Sequence, residues 1–333
     1  MKRIAVIGAG SWGTTLAQVL NDNGHNVALW VRNPEKANVI DKSRYNAEYL
    51  PQLKLADTIE ITSDLKQAVI NAEILLLVVP SHGMADLCCQ LSKISGSNDK
   101  ILVSCTKGFD YNSGKRMSEI IRSYFPVADL AVLSGPNHAE EIALRQPAAT
   151  VISCQNAIVA DELQSIFLND YFRPYLTEDI IGVEFAGSLK NVIALTSGIM
   201  FGLGFGDNSQ AALITRGLTE ITRLGLSQGA QSQTFSGLAG VGDLIATCTS
   251  KHSRNRKAGE ALATGKTLNE ICAGTNMVIE GINATVSAHA LSQKYKVEMP
   301  ITNSLFQILY ENKNPLTALQ ELMRRSGKRE YII

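Results

Sequence analysis

The chain carries no charge imbalance. Lysine plus arginine number 31 and aspartate plus glutamate number 31 across 333 residues, a formal net charge of zero. That argues against a general nucleic-acid or polyanion binder, while leaving room for one local basic pocket. Paired cysteines are also missing. Cys88, Cys89, Cys105, Cys154, Cys248 and Cys272 include no C-x-x-C spacing, which reads as reduced thiols in a cytosolic protein and not as a disulfide frame or zinc site. Histidines 25, 82, 138, 252 and 289 fall at no metal-ligand spacing, so no metal is expected; only His138, beside a Gly-Pro loop, is worth following. There is no internal repeat, no low-complexity tract and no Ser/His/Asp arrangement. A continuous apolar leader is absent too. Met1-Lys2-Arg3 followed by apolar residues has the opening of a secretion signal, but Gly8 and Gly10 cut the run at once and no small-residue cleavage site follows. A cytoplasmic protein is therefore expected.

What is present fits a soluble globular chain: 45% apolar and 19% charged residues. The length is large for one core, so two domains are expected. Arg3–Ile7 reads as a short buried strand, Gly8-Ala9-Gly10-Ser11-Trp12-Gly13 as a turn, Thr14–Leu20 as a helix and Val27–Val31 as a second strand. Strand, glycine loop, helix and strand in about thirty residues form a dinucleotide-binding unit. Gly8 allows the tight turn, Gly10 lets the backbone approach a pyrophosphate, and Gly13 lets the helix pack on the strand. The helix N-terminus then offers unpaired N–H groups to the anion. The alternative is a glycine turn that serves packing alone. Strand two ends in Arg32-Asn33, where an NAD-specific fold carries an acid on the ribose hydroxyls; an arginine pairs instead with a 2′-phosphate. NADPH is thus favoured over NADH, the alternative being an exposed arginine at a strand end.

Residues 34–62 give a helix and then a loop holding Tyr45, Tyr49 and Pro51, with no clear strands. Beyond them, Glu73–Pro80 and Lys100–Thr106 are continuous apolar strands of the parallel, doubly covered kind, separated by a helix from His82 to Ile94. The second of these strands delivers Lys107-Gly108 at its carboxyl end, the ligand edge of open α/β sheets. Lys107 is therefore a candidate substrate or cofactor contact, or merely a solvated lysine. Ser113–Tyr124 reads as helical. Leu130–Ser134 is a strand running into Gly135-Pro136-Asn137-His138-Ala139 and a short helix. Ala149–Ser153 and Phe172–Leu176 could extend the sheet. Alternation stops near Glu178. The fold expected is α/β: an N-terminal Rossmann-like doubly wound, mostly parallel sheet over residues 1–180, then an all-α domain over residues 181–333.

The second domain opens on Phe185–Phe201, apolar or small all round, which reads as a helix buried on every side. It is too rich in Gly, Ser, Thr and Asn for a membrane span, and none is expected. Its one charged residue is Lys190, with Ala186, Gly187, Ile193 and Ala194 a turn away, so no carboxylate on its own helix pairs with it. It must snorkel to water, find a distant partner, or stay desolvated and act as a base of lowered pKa. Further on, Gly237–Cys248 sets Gly240 and Gly242 ahead of Asp243, which suggests a backbone held close to a ligand or another helix. Asp243 is either a helix N-cap or a partner for Lys190. Ser253-Arg254-Asn255 at a helix N-terminus makes a phosphate site, or a solvated basic turn. The tail Arg324–Glu330 reads as a solvated end.

Taken in order, Gly8–Gly13, Thr106-Lys107-Gly108, Ser134-Gly135-Pro136, Lys190-Asn191, Gly240–Asp243, Ser253–Asn255 and Val278-Ile279-Glu280 resemble the bacterial, soluble NAD(P)-dependent glycerol-3-phosphate dehydrogenases along nearly the whole chain. The resemblance implies reversible hydride transfer between NAD(P)H and dihydroxyacetone phosphate, giving sn-glycerol 3-phosphate for phospholipid synthesis. It implies that Ser11, Trp12, Arg32, Lys107 and Ala139 line the nucleotide, with Arg254, Val278 and Glu280 closing over it. It assigns substrate to Lys107, Gly135, Asn137, Lys190, Asp243, Ser253, Arg254 and Asn255, and makes Lys190 the proton carrier, oriented by Asp243. Under this reading Lys107 steadies the oxyanion or the substrate hydroxyl. Position 137 is Asn where a hydroxyl residue is usual. The sign of the Lys190 pKa shift stays open, because Asp243 raises what burial lowers. A homodimer is expected by fold-level analogy. The competing readings are a related β-hydroxyacid or sugar-acid dehydrogenase on the same plan, which would want a carboxylate site in place of Ser253–Asn255, and a non-catalytic NADPH-binding regulator.

Overall fold

The computed structural model describes residues 1–111, 113–274, 278–327 and 329–330. Two compact units emerge: Met1–Thr106 with Arg116–Ile180, and Lys107–Lys115 with the chain from Ile181 onward. The first holds strands β1 (Arg3–Ile7), β2 (Asn26–Trp30), β3 (Tyr45–Asn46), β4 (Leu50–Lys54), β5 (Glu60–Thr62), β6 (Ile74–Leu77), β7 (Ile101–Ser104), β8 (Leu130–Ser134), β9 (Ala148–Cys154) and β10 (Phe172–Thr177). Eight form one sheet in the order β10-β9-β8-β7-β6-β1-β2-β5; β3 and β4 make a separate antiparallel pair. The central strands are apolar without alternation because helices cover both faces. Alternate residues feed opposite cores: Ile4, Val6, Leu76 and Val103 enter one, Ala5, Ile7, Leu75, Leu77 and Leu102 the other. The chain leaves β1 toward β2 on one side and returns to β6 on the other, pairing Ile4 with both Val27 and Ile74. That reversal opens a crevice beside the carboxyl end of β1.

Two sequence expectations for this unit need correcting, and the mostly parallel sheet expected leaves one strand direction unspecified. Residues 34–62 hold strands β3, β4 and β5 as well as the helix Pro34–Ser43; each strand is too short to show a period. β9 runs antiparallel to β8 while pairing in parallel with β10, a direction that apolar pattern does not encode. The helix expected from Ser113 begins only at Met117, and residues 107–115 belong with the helical unit instead.

The second unit is helical throughout its described elements. Its axis is the 23-residue helix Ile180–Gly202, in which every residue from Gly182 to Met200 is buried. Among the described residues it is the one helix long and apolar enough to cross a membrane, yet 89% of its most apolar window is covered by the protein itself. Burial on all sides needs neighbours that come close, and glycines permit it. A Cβ at Gly259, on the helix Arg254–Ala263, would sit 2.0 Å from the Leu195 carbonyl oxygen. One at Gly217, on the helix Asp207–Ser227, would sit 2.7 Å from the Ile193 side chain. One at Gly281, on the helix Glu280–Tyr295, would sit 2.7 Å from the Asn191 carbonyl oxygen.

Glu220 solves a different burial problem. Its carboxylate is 2% exposed and accepts from the backbone N–H groups of Ile301 and Thr302 at 2.6 and 3.1 Å and from the Thr302 hydroxyl at 3.0 Å. It thus caps the helix Pro300–Tyr310 from a neighbouring helix, filling donors that the helix leaves unpaired. Burial pushes its pKa up from 4.5 to about 7, against the pull of those three donors. The C-terminal tail is solvated as expected, every described residue from Arg324 to Glu330 being exposed, and it carries two surface ion pairs. Arg325 pairs with Glu298, and Glu330 lies 3.4 Å from Arg216; Lys328 lies outside the described residues.

Two measurements check this packing. Gly259→Ala should cost at least about 2 kcal/mol in urea unfolding, because the added methyl overlaps rigid backbone. Gly83→Ala, which meets nothing within 4 Å, should stay within about 0.5 kcal/mol of the parent. Equal effects would refute the close-approach account. Between pH 4.5 and about 7 the folded chain keeps a proton on Glu220 that the unfolded chain releases, so this group makes stability fall as pH rises through that window. Glu220→Gln should remove a slope of up to about 1.4 kcal/mol per pH unit there, read as the difference between the two proteins' stability–pH curves.

Candidate active site

The first unit contributes the glycine loop. Gly8 has φ +122, and a Cβ there would lie 2.3 Å from the Val78 carbonyl oxygen. At Gly13 a Cβ would lie 1.8 Å from the Gly8 carbonyl oxygen. Both are therefore required by the protein's own packing. Gly10 is different: a Cβ there meets nothing within 4 Å. Among the described residues nothing calls for glycine at position 10, whereas a ligand brought against the backbone does, so this cradle fits a dinucleotide. Gly10 also starts the helix Ser11–Asp22 without a side-chain cap, leaving the first-turn N–H groups for an anion. The Ser11 hydroxyl donates to the Tyr49 carbonyl at 2.8 Å. Trp12 packs against Phe172 with ring centroids 6.3 Å apart, so much of its surface serves the core. Arg32 is exposed at the end of β2 and makes no hydrogen bond or salt bridge with the described residues. Beside it Asn33 caps the helix Pro34–Ser43 through Lys36 N–H at 3.0 Å, and Lys36 is already paired with Glu48.

The Gly-Pro loop of this unit is braced internally. Gly135 has φ +153, and its Cβ would crowd the Thr150 Cα at 3.1 Å. Asn137 donates to the Ala149 carbonyl at 3.0 Å and accepts from the Thr150 hydroxyl at 2.9 Å. Its amide thus ties the loop to β9. Ala139 is buried, and its carbonyl accepts from the Thr15 hydroxyl at 3.2 Å.

The second unit brings together three charged groups far apart in sequence. Lys190 Nζ pairs with Asp243 Oδ1, and Lys107 Nζ lies 2.7 Å from Asp243 Oδ2. One carboxylate therefore bridges two ammoniums. The Asp243 side chain is 2% exposed and that of Lys190 8%, so Lys190 does not snorkel. The Thr247 hydroxyl accepts from Lys190 Nζ at 2.7 Å and donates to the Asp243 backbone carbonyl at 2.7 Å. Burial pulls the Lys190 pKa down from 10.5 to about 7; Asp243 opposes this and the Lys107 charge assists it. The direction left open by sequence is thus downward. Asp243 begins the helix Asp243–Thr249 after a π-turn at Leu238–Gly242. Gly240 is needed there because a Cβ would strike the Phe235 carbonyl oxygen at 2.1 Å. The close approach at Gly240 is to the backbone of Phe235 on another helix, Ser232–Ser236, the second of the two alternatives the sequence left open.

Lys107 is held by its own loop. Gly108 N–H donates to the Ser188 hydroxyl at 2.9 Å, and Phe109 packs on Phe185 at 5.4 Å between ring centroids. Around the other candidate cluster, Ser253 is buried and caps the helix Arg254–Ala263 by accepting from Arg256 N–H at 3.2 Å. Arg254 is exposed and donates to the Val278 carbonyl at 3.0 Å. Asn255 is buried, donates to Asn191 Oδ1 at 2.9 Å and accepts from Gly281 N–H at 2.9 Å. Its amide therefore links three helices, and Glu280 starts the third of them. Sequence reading missed Thr247 and Ser188. Thr247 carried a usable signal, standing four residues beyond Asp243 on one helix face; Ser188 carried none. Among the described residues no group of three or more His, Cys, Asp or Glu could hold a metal ion, and His138 sits at the start of a five-residue helix without capping it.

Comparison with known proteins finds relatives along almost the whole chain. Residues 3–160 match the model of the N-terminal part of NAD-dependent glycerol-3-phosphate dehydrogenase and residues 179–320 that of its C-terminal part. A glycerol-3-phosphate dehydrogenase (NAD(P)+) of Thermoanaerobacter sp. (strain X514) is 48% identical over 328 residues, 98% of each chain. The crystal structure of glycerol-3-phosphate dehydrogenase from Coxiella burnetii superposes with a TM-score of 0.93 at 37% identity, covering 97% of this chain and 99% of that one. A ketopantoate reductase from Ralstonia eutropha JMP134 reaches a TM-score of 0.62 at 15% identity over 95% of this chain and 99% of its own, a likeness of fold alone. With both halves matched and near-half identity over almost the whole length, the chain belongs to the NAD-dependent glycerol-3-phosphate dehydrogenase family.

Proposed function

We propose that this chain reduces dihydroxyacetone phosphate to sn-glycerol 3-phosphate with NADPH or NADH, reversibly, and so supplies glycerophospholipid synthesis in the cytoplasm. The observation that carries the reading is the buried Lys190–Asp243–Lys107 cluster. The nicotinamide, when bound, supplies the hydride that reaches the substrate's carbonyl carbon. Lys190 gives a proton to the carbonyl oxygen as it becomes an alkoxide, and in reverse its neutral amine takes the hydroxyl proton. A pKa of about 7 keeps both forms available near neutrality. Asp243 fixes the position of Nζ. With Lys190 protonated, the cluster holds two cations against one carboxylate, and that excess positive charge favours a developing oxyanion. Lys107 adds to this effect.

The Gly8–Gly13 loop, with Ser11 and Trp12 opening its helix and Ala139 beside it, is assigned the pyrophosphate half of the cofactor, and Arg32 the 2′-phosphate of NADPH. Arg254, Val278 and Glu280 are assigned to the nucleotide as well. Ser253, Arg254 and Asn255 are assigned the substrate phosphate, with Gly135 and Asn137 as further substrate contacts. Phosphate binding remote from the carbonyl then helps orient the reacting carbon. We assign residues 1–180 to cofactor binding, with the loop 107–115 contributing Lys107 to the catalytic domain 181–333, and a homodimer as the working assembly. A carboxylate-directed hydroxyacid dehydrogenase would accept carboxylated substrates, and turnover of those in preference to dihydroxyacetone phosphate would overturn the assignment.

If Lys190 is the proton carrier, kcat/KM for ketone reduction should fall as pH rises through about 7, and that for alcohol oxidation should rise through the same region. Parallel trends in both directions would exclude a single acid–base group. Lys190→Ala should lower turnover by ~10²–10⁴-fold while leaving NADPH affinity, read by nicotinamide fluorescence, near that of the parent. Arg32→Ala should weaken NADPH by ~10-fold or more through the lost charge-assisted bonds and leave NADH unchanged; equal loss of both would remove Arg32 from the 2′-phosphate assignment.

A further inference from the structure

The pyrophosphate loop has a requirement that its glycines do not meet. An anion site made of backbone N–H groups works only if the carbonyl oxygens of the same loop point elsewhere, because a carbonyl dipole aimed at a phosphate repels it. Three carbonyls are at stake, those of Gly8, Ala9 and Gly10. The Gly8 oxygen is turned against Gly13, where a Cβ would meet it at 1.8 Å. The Gly10 oxygen accepts from Thr14 N–H at 3.0 Å within the first turn of the helix. The Ala9 oxygen has no helical partner. It accepts instead from the side-chain amide of Asn46 at 2.8 Å. The same Asn46 nitrogen donates its second hydrogen to the Thr14 hydroxyl at 2.8 Å. Asn46 is only 3% exposed. Since a carbonyl can only accept, the group facing Ala9 must be the amide nitrogen.

Asn46 is delivered by the β3–β4 hairpin, in which it pairs with Leu50. The hairpin grips the loop a second time, where the Ser11 hydroxyl donates to the Tyr49 carbonyl at 2.8 Å. We propose that Asn46 is a positioning residue for dinucleotide binding: its amide turns the Ala9 carbonyl away from the pyrophosphate site, so that the loop presents only N–H donors there. The side chain suits the task in two respects. It donates twice from one atom, once to the loop and once to the helix, and it brings no negative charge near a bound anion. Aspartate, of the same shape, fails on both counts, since its oxygen faces the Ala9 oxygen acceptor to acceptor. The proposal rests on the cofactor reading of the Gly8–Gly13 loop.

The pyrophosphate is common to NADPH, NADH and ADP-ribose, and this makes a specific test. Binding of each to the full-length parent, Asn46→Asp and Asn46→Ala would be measured by calorimetry, with melting temperatures and steady-state kinetics alongside. Asn46→Asp should weaken all three ligands by a common factor of ~10-fold or more, and Asn46→Ala by a smaller common factor, in line with the loss of one or two hydrogen bonds. KM for both cofactors should rise together, while kcat and KM for dihydroxyacetone phosphate at saturating cofactor stay near the parent values. A purely structural role would lower the melting temperature without this split. Parent-like affinity in either folded variant, or a loss confined to NADPH, would overturn the proposal. Should Asn46→Asp not fold, Asn46→Ala alone decides. Gly10→Val separates the two readings. If it abolishes ADP-ribose binding while the Asn46 variants keep it, the cofactor reading stands and the Asn46 role falls. If Gly10→Val binds like the parent, the loop is not the cofactor site.

Discussion

A lysine in the middle of a helix buried on every side is the constraint on which the second unit depends. Taking an ammonium out of water costs several kcal/mol or more unless an anion and further hydrogen bonds replace the solvent. The helix that carries Lys190 offers it no acid, so the anion must come from elsewhere. Asp243 arrives at the start of another helix, turned into place by the π-turn before it. One carboxylate shared between Lys190 and Lys107 does not neutralise both. The remainder is a cluster whose burial lowers the Lys190 pKa and whose positive excess is relieved when negative charge forms beside it. Under the proposed mechanism, the feature that costs stability is the one that favours an alkoxide.

The same helix explains the glycines around it. A helix buried all round needs neighbours on each side, and some must approach to backbone distance. Gly217, Gly259 and Gly281 lie on three different helices, and each faces an atom of the long helix that a methyl group would strike. Close approach also lets Asn255 bond at once to Asn191 and to the backbone of Gly281. Packing and polar satisfaction are therefore solved together, and a single inserted methyl group disturbs both.

Much of the architecture was legible in the residues. The glycine loop, the continuous apolar strands of the central sheet and the helix around Lys190 follow from period, run length and turn chemistry, and they lie close to where those signals put them. The short strands between residues 45 and 62 did not show, because two to five residues carry no readable period and their burial depends on what covers them. The direction of β9 did not show either, since an apolar strand reads alike in both directions. Among the residues considered for the site, Asp243 could as well have been a simple cap, and Lys107 a solvated strand end. Their meeting joins positions 107, 190 and 243, and no local pattern specifies so distant a contact. The ordered series of motifs carried the family resemblance where single motifs could not.

The sequence by itself determined the composition class, the dinucleotide loop, the two-part plan and the presence of one unpaired lysine in an apolar helix, because each of these is written in local spacing. Tertiary structure decided that the unpaired lysine has a partner, that this partner is shared with a second lysine, and that burial outweighs the pairing in setting its pKa. It also decided that Asn46, unremarkable in the sequence, turns a loop carbonyl. Charge pairing and desolvation act through space over a few ångströms, so they depend on which distant residues the fold brings within reach.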